Sequence, residues 1–208
     1  MAILGRRHSS ANRPLPRERR RGAVVTFSMR AALVLSVVLT LTLSQSAQAQ
    51  RGAELNKLKA AFIFQFTNFV EWPADAFENN SSTFVIGVMG NDTVKDIIES
   101  AVKGKTISGR KVSVQSVSST SDLSSFQIVF VDNSERRSVP DLVDRYMDHP
   151  ILTIGDSDSF TKEGGVIRLY RQGSKLRIEI NIDAAERAKL KISSKLLSLG
   201  RVVHDEES

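Results

Sequence analysis

The 208-residue chain has no cysteine. That excludes disulfides, thiolate metal sites and a lipid anchor on a cysteine thiol, so the fold rests on packing alone. Histidine is nearly as scarce. His8, His149 and His204 stand far apart and give no metal-ligand spacing. The sequence also lacks a Gly-x-Ser-x-Gly elbow, a three-glycine dinucleotide fingerprint and the Gly-Lys-Ser/Thr end of a phosphate loop. We therefore assign no catalytic residue, no metal and no cofactor. A hydrolase acting on envelope substrates would need a cleft holding a carboxylate or hydroxyl with a displaced pKa.

Long apolar runs are absent after residue 49. Before it there is one. Arg30 supplies a positive end, Ala31 to Leu43 an uncharged apolar run, and Ser44 to Ala49 a polar exit. Ala47 and Ala49 are the small residues three and one positions before a cut after Ala49. This is the layout of a secretory signal peptide. The run falls short of the roughly 20 apolar residues of a spanning helix, although an uncleaved anchor stays open as the alternative. Met29 makes a more ordinary start than Met1, which leaves residues 1–28 as an upstream extension or a long basic n-region.

The leader also carries the charge. Residues 1–49 hold eight of the 29 basic residues and one of the 23 acidic ones, which leaves 21 against 22 and turns a net +6 into −1. No basic stripe remains to suggest nucleic acid. We expect residues 50–208 to form one periplasmic domain with no stable membrane span after cleavage.

Leu55 to Val70 reads as a helix, with Leu55, Phe62, Phe66 and Phe69 near one face and Leu58, Ile63, Phe64 and Val70 widening it. Pro73 ends it. Thr83–Met89, Lys111–Val117, Phe126–Val131 and Ile151–Ile154 read as strands. A helix capped by Asn91 or Asp92 runs to about Val102, and a second covers Ser134–Met147, with Pro140 shifting its start. Asp156–Glu163 is a short helix or turn. Val166–Tyr170 and Leu176–Ile182 pair as an antiparallel hairpin, with Arg168, Arg171, Arg177 and Glu179 as outward candidates. A last helix starts at Asp183 and runs to Leu199 on Ala185, Ala188, Ile192, Leu196 and Leu199, before Gly200 and a polar tail from His204. The pattern predicts an α/β domain: a mixed, mostly parallel sheet of five or six strands, flanked by helices on both faces.

Five residues are candidates for partner contact. Phe64 sits beside Lys57, Asn68 and Glu71 on the more polar side of the first helix, where it is either recognition aromatic or core. Trp72 at the helix end is either a packing anchor or an interface anchor. Asp156 follows a buried strand, at the carboxyl end where open α/β sheets bind ligands, or else it caps the next turn. Phe160 follows in the same loop. The turns at Gly90-Asn91-Asp92 and Gly155-Asp156 also leave a small-ligand binder as an alternative reading.

Several stretches, in order, resemble one family. They are Lys59-Ala60-Ala61-Phe62-Ile63-Phe64-Gln65-Phe66-Thr67-Asn68-Phe69-Val70-Glu71-Trp72-Pro73, Ile86 to Gly90, Gly104-Lys105 with Gly109-Arg110, and Ile128 to Val131 with Ser134-Glu135. Then come Ile151 to Asp156, Phe160 before Gly164-Gly165, Glu179-Ile180-Asn181 and Ser193 to Leu197. Together they resemble the YfiR-like family over roughly residues 55–203. The resemblance implies a periplasmic α/β protein without enzymatic activity. It implies repression of a membrane-bound diguanylate cyclase through the cyclase's periplasmic sensor region, lowering cyclic di-GMP and biofilm formation. Well-studied family members carry disulfide-forming cysteines. This chain has none, so thiol redox control is excluded. Homodimerisation stays open.

Overall fold

The computed structural model describes residues 52–79 and 81–205. The leader, with Ala47 and Ala49, lies outside the described residues, as do the last three residues of the tail.

Helix α1 covers residues 52–66. A short strand β1 (Val70–Glu71) and a single 3-10 turn (Ala74–Ala76) lead to β2 (Phe84–Met89). Helix α2 (Asp92–Val102) returns to a tight hairpin of β3 (Thr106–Ile107) and β4 (Arg110–Ser116). Next come β5 (Ile128–Val131), a 3-10 segment (Asn133–Ser138), α3 (Val139–Tyr146) and β6 (Leu152–Gly155). The hairpin β7 (Ile167–Gln172) and β8 (Lys175–Asn181) follows. The chain closes with α4 (Ile182–Arg187), β9 (Lys191–Ile192), α5 (Ser194–Leu197) and β10 (Arg201–Val203).

Eight strands form one mixed sheet in the order β10-β8-β7-β6-β5-β2-β4-β3, and β1 pairs with β9 in a separate two-stranded ribbon. The contiguous set β4, β2, β5, β6 and β7 is parallel. β8 runs antiparallel to β7, and β3 antiparallel to β4. This is the expected class, with more strands than the pattern suggested. The six long strands were legible; β1, β3, β9 and β10 have two or three residues each and are fixed by pairing rather than by local pattern.

β5 and β6 are buried on both faces, which is why their sequences are continuous apolar runs. Period-2 alternation sorts their side chains. Ile128, Phe130, Leu152 and Ile154 join Ile63 and Phe66 of α1 and Val94 and Ile98 of α2 in the larger core. Val129 and Val131 point the other way, onto Val139 and Leu142 of α3 with Leu123 and Phe160. Asn91 caps α2 by accepting the Val94 N–H at 3.0 Å, and Pro140 in the first turn of α3 delays it behind the 3-10 segment.

Two expectations need correction. α1 stops at residue 66, not Val70: the Thr67 hydroxyl donates back to the Phe64 carbonyl at 2.6 Å, and Val70 enters β1 opposite Ile192. Asp156–Glu163 forms successive turns, one of the two expected forms. The expected long last helix is broken in two. Lys189 adopts a positive φ of 54°, after which Lys191–Ile192 pair with Val70–Glu71 and Ser193 N–H donates to the Phe69 carbonyl at 2.8 Å. The tail beyond Gly200 carries β10 alongside β8.

Candidate functional site

α1 runs over the sheet from the carboxyl end of β6 to the amino ends of β2 and β5, and the two ends of this path hold the candidate residues. At the first end, Lys59 Nζ is ion-paired with Asp156 Oδ2. Both side chains are about nine-tenths buried, at 11% and 9% exposure. Burial pushes the Asp156 carboxyl above the usual carboxylate range, Lys59 draws it partly back, and the nearby charge of Asp132 adds to the rise. Asp156 Oδ1 and the neighbouring Ser157 hydroxyl have no hydrogen bond of good geometry.

Phe160 is fully buried. Its ring fills the space above Gly155 and Gly165; a Cβ at either glycine would lie 2.2 Å from a ring carbon. Glycine is required at both positions because a side chain there would occupy the same volume as the ring. Phe160 therefore shapes the loop after β6 from below and offers no surface of its own.

At the other end, Trp72 is half-buried. Its indole N–H donates to the Gln127 carbonyl at 3.1 Å, and its ring meets Phe84 edge-on with centroids 5.1 Å apart. Gln127, itself buried, accepts from the Val85 N–H and donates to the Ala76 carbonyl, at 2.8 and 2.9 Å. Trp72 thus locks the loop after β1 onto the starts of β2 and β5. Phe64 is half-buried against the larger core, and Lys105 Nζ lies 4.1 Å from its ring centroid, a cation–π contact. Glu71 is exposed and stands opposite Lys191 in the β1–β9 ribbon.

The structure therefore brings Phe64, Glu71 and Trp72 to the C-terminal half of α1 and the segment after it, and Asp156 and Phe160 to the loop after β6. Leu58, on the first turns of α1, is 42% exposed. Spacing alone missed Lys59, whose partner is distant in sequence.

A second charged cluster was also missed. Glu179, expected to point outward, is buried. Register explains it: Gly155, Arg168, Glu179 and Arg201 are successive partners across β6, β7, β8 and β10. Glu179 accepts from the Thr161 hydroxyl at 2.5 Å and meets Arg168 and Arg201 at 3.8 and 3.4 Å. Arg168 in turn pairs with the exposed Asp158. The signal lay in the pairing of a charged strand residue with two arginines, which needs the sheet order. Among the described residues, no group of three His, Asp or Glu residues is placed to hold a metal ion, and no helix is long and apolar enough to cross a membrane.

The family model described as YfiR/HmsC-like matches residues 56–201, from the first turns of α1 to the start of β10. No curated protein matches the chain.

Proposed function

The chain belongs to the YfiR/HmsC-like family, and from that membership we propose that it is a non-enzymatic periplasmic regulator acting on an inner-membrane signalling protein. It binds the periplasmic sensor region of that protein, a diguanylate cyclase, and holds it repressed. Cyclic di-GMP then falls, and with it biofilm formation. The family match over residues 56–201 carries this reading; the family is one of periplasmic regulators of cyclase signalling rather than of catalysts. The leader ending at Ala47-Gln48-Ala49 supplies the route of export, and residues 50–208 are the exported domain.

The contact surface centres on Phe64, Glu71 and Trp72, with Leu58 alongside. Asp156 and Phe160 contribute by setting the loop after β6. Repression requires the partner's inactive state to bind this surface better than the active state does, since equal affinity shifts nothing.

The test is genetic and biochemical together. Deletion of the gene raises cyclic di-GMP, and complementation requires an intact leader. The domain co-purifies with an inner-membrane protein that has a periplasmic sensor and a cytoplasmic cyclase domain. Unchanged cyclic di-GMP on deletion, with no such protein recovered, overturns the proposal. A small-ligand role draws on the buried Ser157 hydroxyl, which lacks a hydrogen bond, beside the buried Asp156 carboxylate. A metabolite that raises the melting temperature of the wild type but not of Ser157→Ala supports it, because ligands that bind only the native state stabilise it.

A further inference from the structure

Most of β4 (Arg110–Ser116) is open on its outer side, because β3 covers only Arg110 and Lys111. On the inner side β4 runs parallel to β2, from Val112 opposite Phe84 to Ser116 opposite Val88. The Val117 N–H donates inward to the Val88 carbonyl at 3.0 Å. Alternation therefore turns the backbone groups of Ser113 and Gln115 inward as well, and those of Val112, Val114 and Ser116 outward. Among the described residues no strand receives them. Proline or charge usually blunts such an edge. Val112-Ser113-Val114-Gln115-Ser116 has neither.

The side chains of Val112 and Val114 lie on the α2 side of the sheet, partly buried against the larger core. Between them and α2 runs a groove of about 500 Å³, lined by residues including Asp96, Ser100, Lys103, Val112 and Val114. Its charge has a direction. At one end the Ser116 hydroxyl lies 3.5 Å from Asp92 Oδ1. There Asp92, Asp96 and Glu99 outnumber Lys95, which contacts Asp96 and Glu99 at 3.4 and 2.8 Å. Lys103, beyond the last turn of α2, marks the other end. From Ser100 to Ser121 the chain has no acidic residue.

We propose that this edge and groove dock an extended segment of a different protein, which adds antiparallel to β4 and carries basic, apolar and acidic residues at alternate positions. The register follows from what is already occupied. β3 blocks Lys111, so the added strand lies opposite Val112 to Ser116. Val112, Val114 and Ser116 each exchange N–H and C=O with one residue of it, and those three opposed residues point their side chains into the groove. The residue opposite Ser116 meets the acidic end and is Lys or Arg. The one opposite Val114 is apolar. The one opposite Val112 meets Lys103 and is Asp or Glu. Read from the N-terminus, the docked segment is basic-x-apolar-x-acidic. β4 of a second copy does not qualify, because Val112-x-Val114-x-Ser116 carries neither charge. Main-chain bonds supply the affinity of such strand addition, and alternate side chains the specificity. Five residues bury less than a standard interface, so the contact is transient. The site is separate from Phe64, Glu71 and Trp72, and its failure leaves the regulator reading standing.

The test uses the chain expressed with its own leader and purified from the exported fraction. A phage-displayed random decapeptide library is selected on it, and the enriched sequences are synthesised. They are expected to share the basic-x-apolar-x-acidic pattern. Amide exchange followed by NMR reads the site residue by residue. In the free protein the amides of Val112, Val114 and Ser116 exchange fast, and those of Ser113, Gln115 and Val117 slowly. The peptide slows the first three selectively. Val114→Pro removes the central outward donor without touching the β2 ladder and weakens binding by about tenfold, with circular dichroism checking the fold. Lys103→Glu weakens binding by about fivefold, the size of one exposed charge pair, and a peptide with Lys in place of its acidic residue regains it. The proposal is overturned if no enriched peptide protects Val112, Val114 and Ser116. It is equally overturned if those amides are already protected in the free protein, or if Val114→Pro and Lys103→Glu both leave binding unchanged.

Discussion

Lys59 and Asp156, 97 residues apart in sequence, form a nearly dry ion pair that fastens the start of α1 to the carboxyl end of β6. Removing one member of such a pair leaves the other charge buried and unmatched. Lys59→Ala is expected to cost about 3–5 kcal/mol, read from chemical unfolding. Asp156→Asn is expected to cost more at low pH than at neutral pH. Burial raises the folded pKa of Asp156 above its unfolded value, so the native state holds that proton more tightly. The contribution of this group to stability is greatest below the unfolded value and declines as pH rises through the folded one. Wild type therefore shows this decline, and Asp156→Asn lacks it. An unchanged pH profile in the variant contradicts the assignment.

Gly155→Ala tests the fit around Phe160. The added methyl would collide with the ring, and overpacking of this kind costs about 1–3 kcal/mol. Phe160→Ala empties the same space and costs about 3–5 kcal/mol. The double variant is expected to be less destabilised than the two single losses summed, because the methyl then enters the vacated volume. Strict additivity in unfolding experiments would separate the two positions.

Gln127→Ala strips the Val85 N–H and the Ala76 carbonyl of their shared partner. A buried amide left without a hydrogen bond costs about 1–3 kcal/mol. Trp72 reports on the same corner as the sole indole in the chain. Its fluorescence should become more accessible to a soluble quencher in Gln127→Ala, with α1 helicity unchanged by circular dichroism.

Acid should loosen the C-terminal strand early. Arg187 holds the Asp205 carboxyl below its usual range, and hydrogen bonds from the Asp205 N–H and His204 do the same for Asp183. Groups with lowered folded pKa values stabilise the fold above their unfolded values and lose that contribution as pH falls through the folded ones. Hydrogen exchange of Arg201–Val203 is expected to accelerate below about pH 4, where carboxylates begin to protonate. In Asp205→Asn it should already be fast at neutral pH. Equal protection in variant and wild type would remove the latch.

The helices and strands with strong local pattern were readable from residue order, while those closed by distant partners were not. β5 and β6 announce themselves as unbroken apolar runs because both faces are covered. Ala185, Ala188, Ile192 and Leu196 fit a helical stripe, yet Ile192 belongs to β9, since its pairing with Val70 outweighs the weak propensity of the segment. The same limit applies at the site. Asp156 was placed correctly at a strand end, but its counter-ion on α1 and the burial of Glu179 between two arginines depend on strand order. Phe160 looked like a loop aromatic because nothing in its neighbours reveals that two glycines have made room beneath it.

The β1–β9 ribbon also sets an order of events. The first helix of the domain emerges first from any synthesis or translocation machinery, but the strand that clasps its end emerges almost last. Native closure cannot precede the arrival of Lys191 and Ile192. Until then the chain lacks a long-range contact on which its cooperative folding depends, and such non-local topologies form slowly. On the export route proposed above, a delay of this kind would keep the polypeptide threadable through a narrow channel and postpone assembly to the far side.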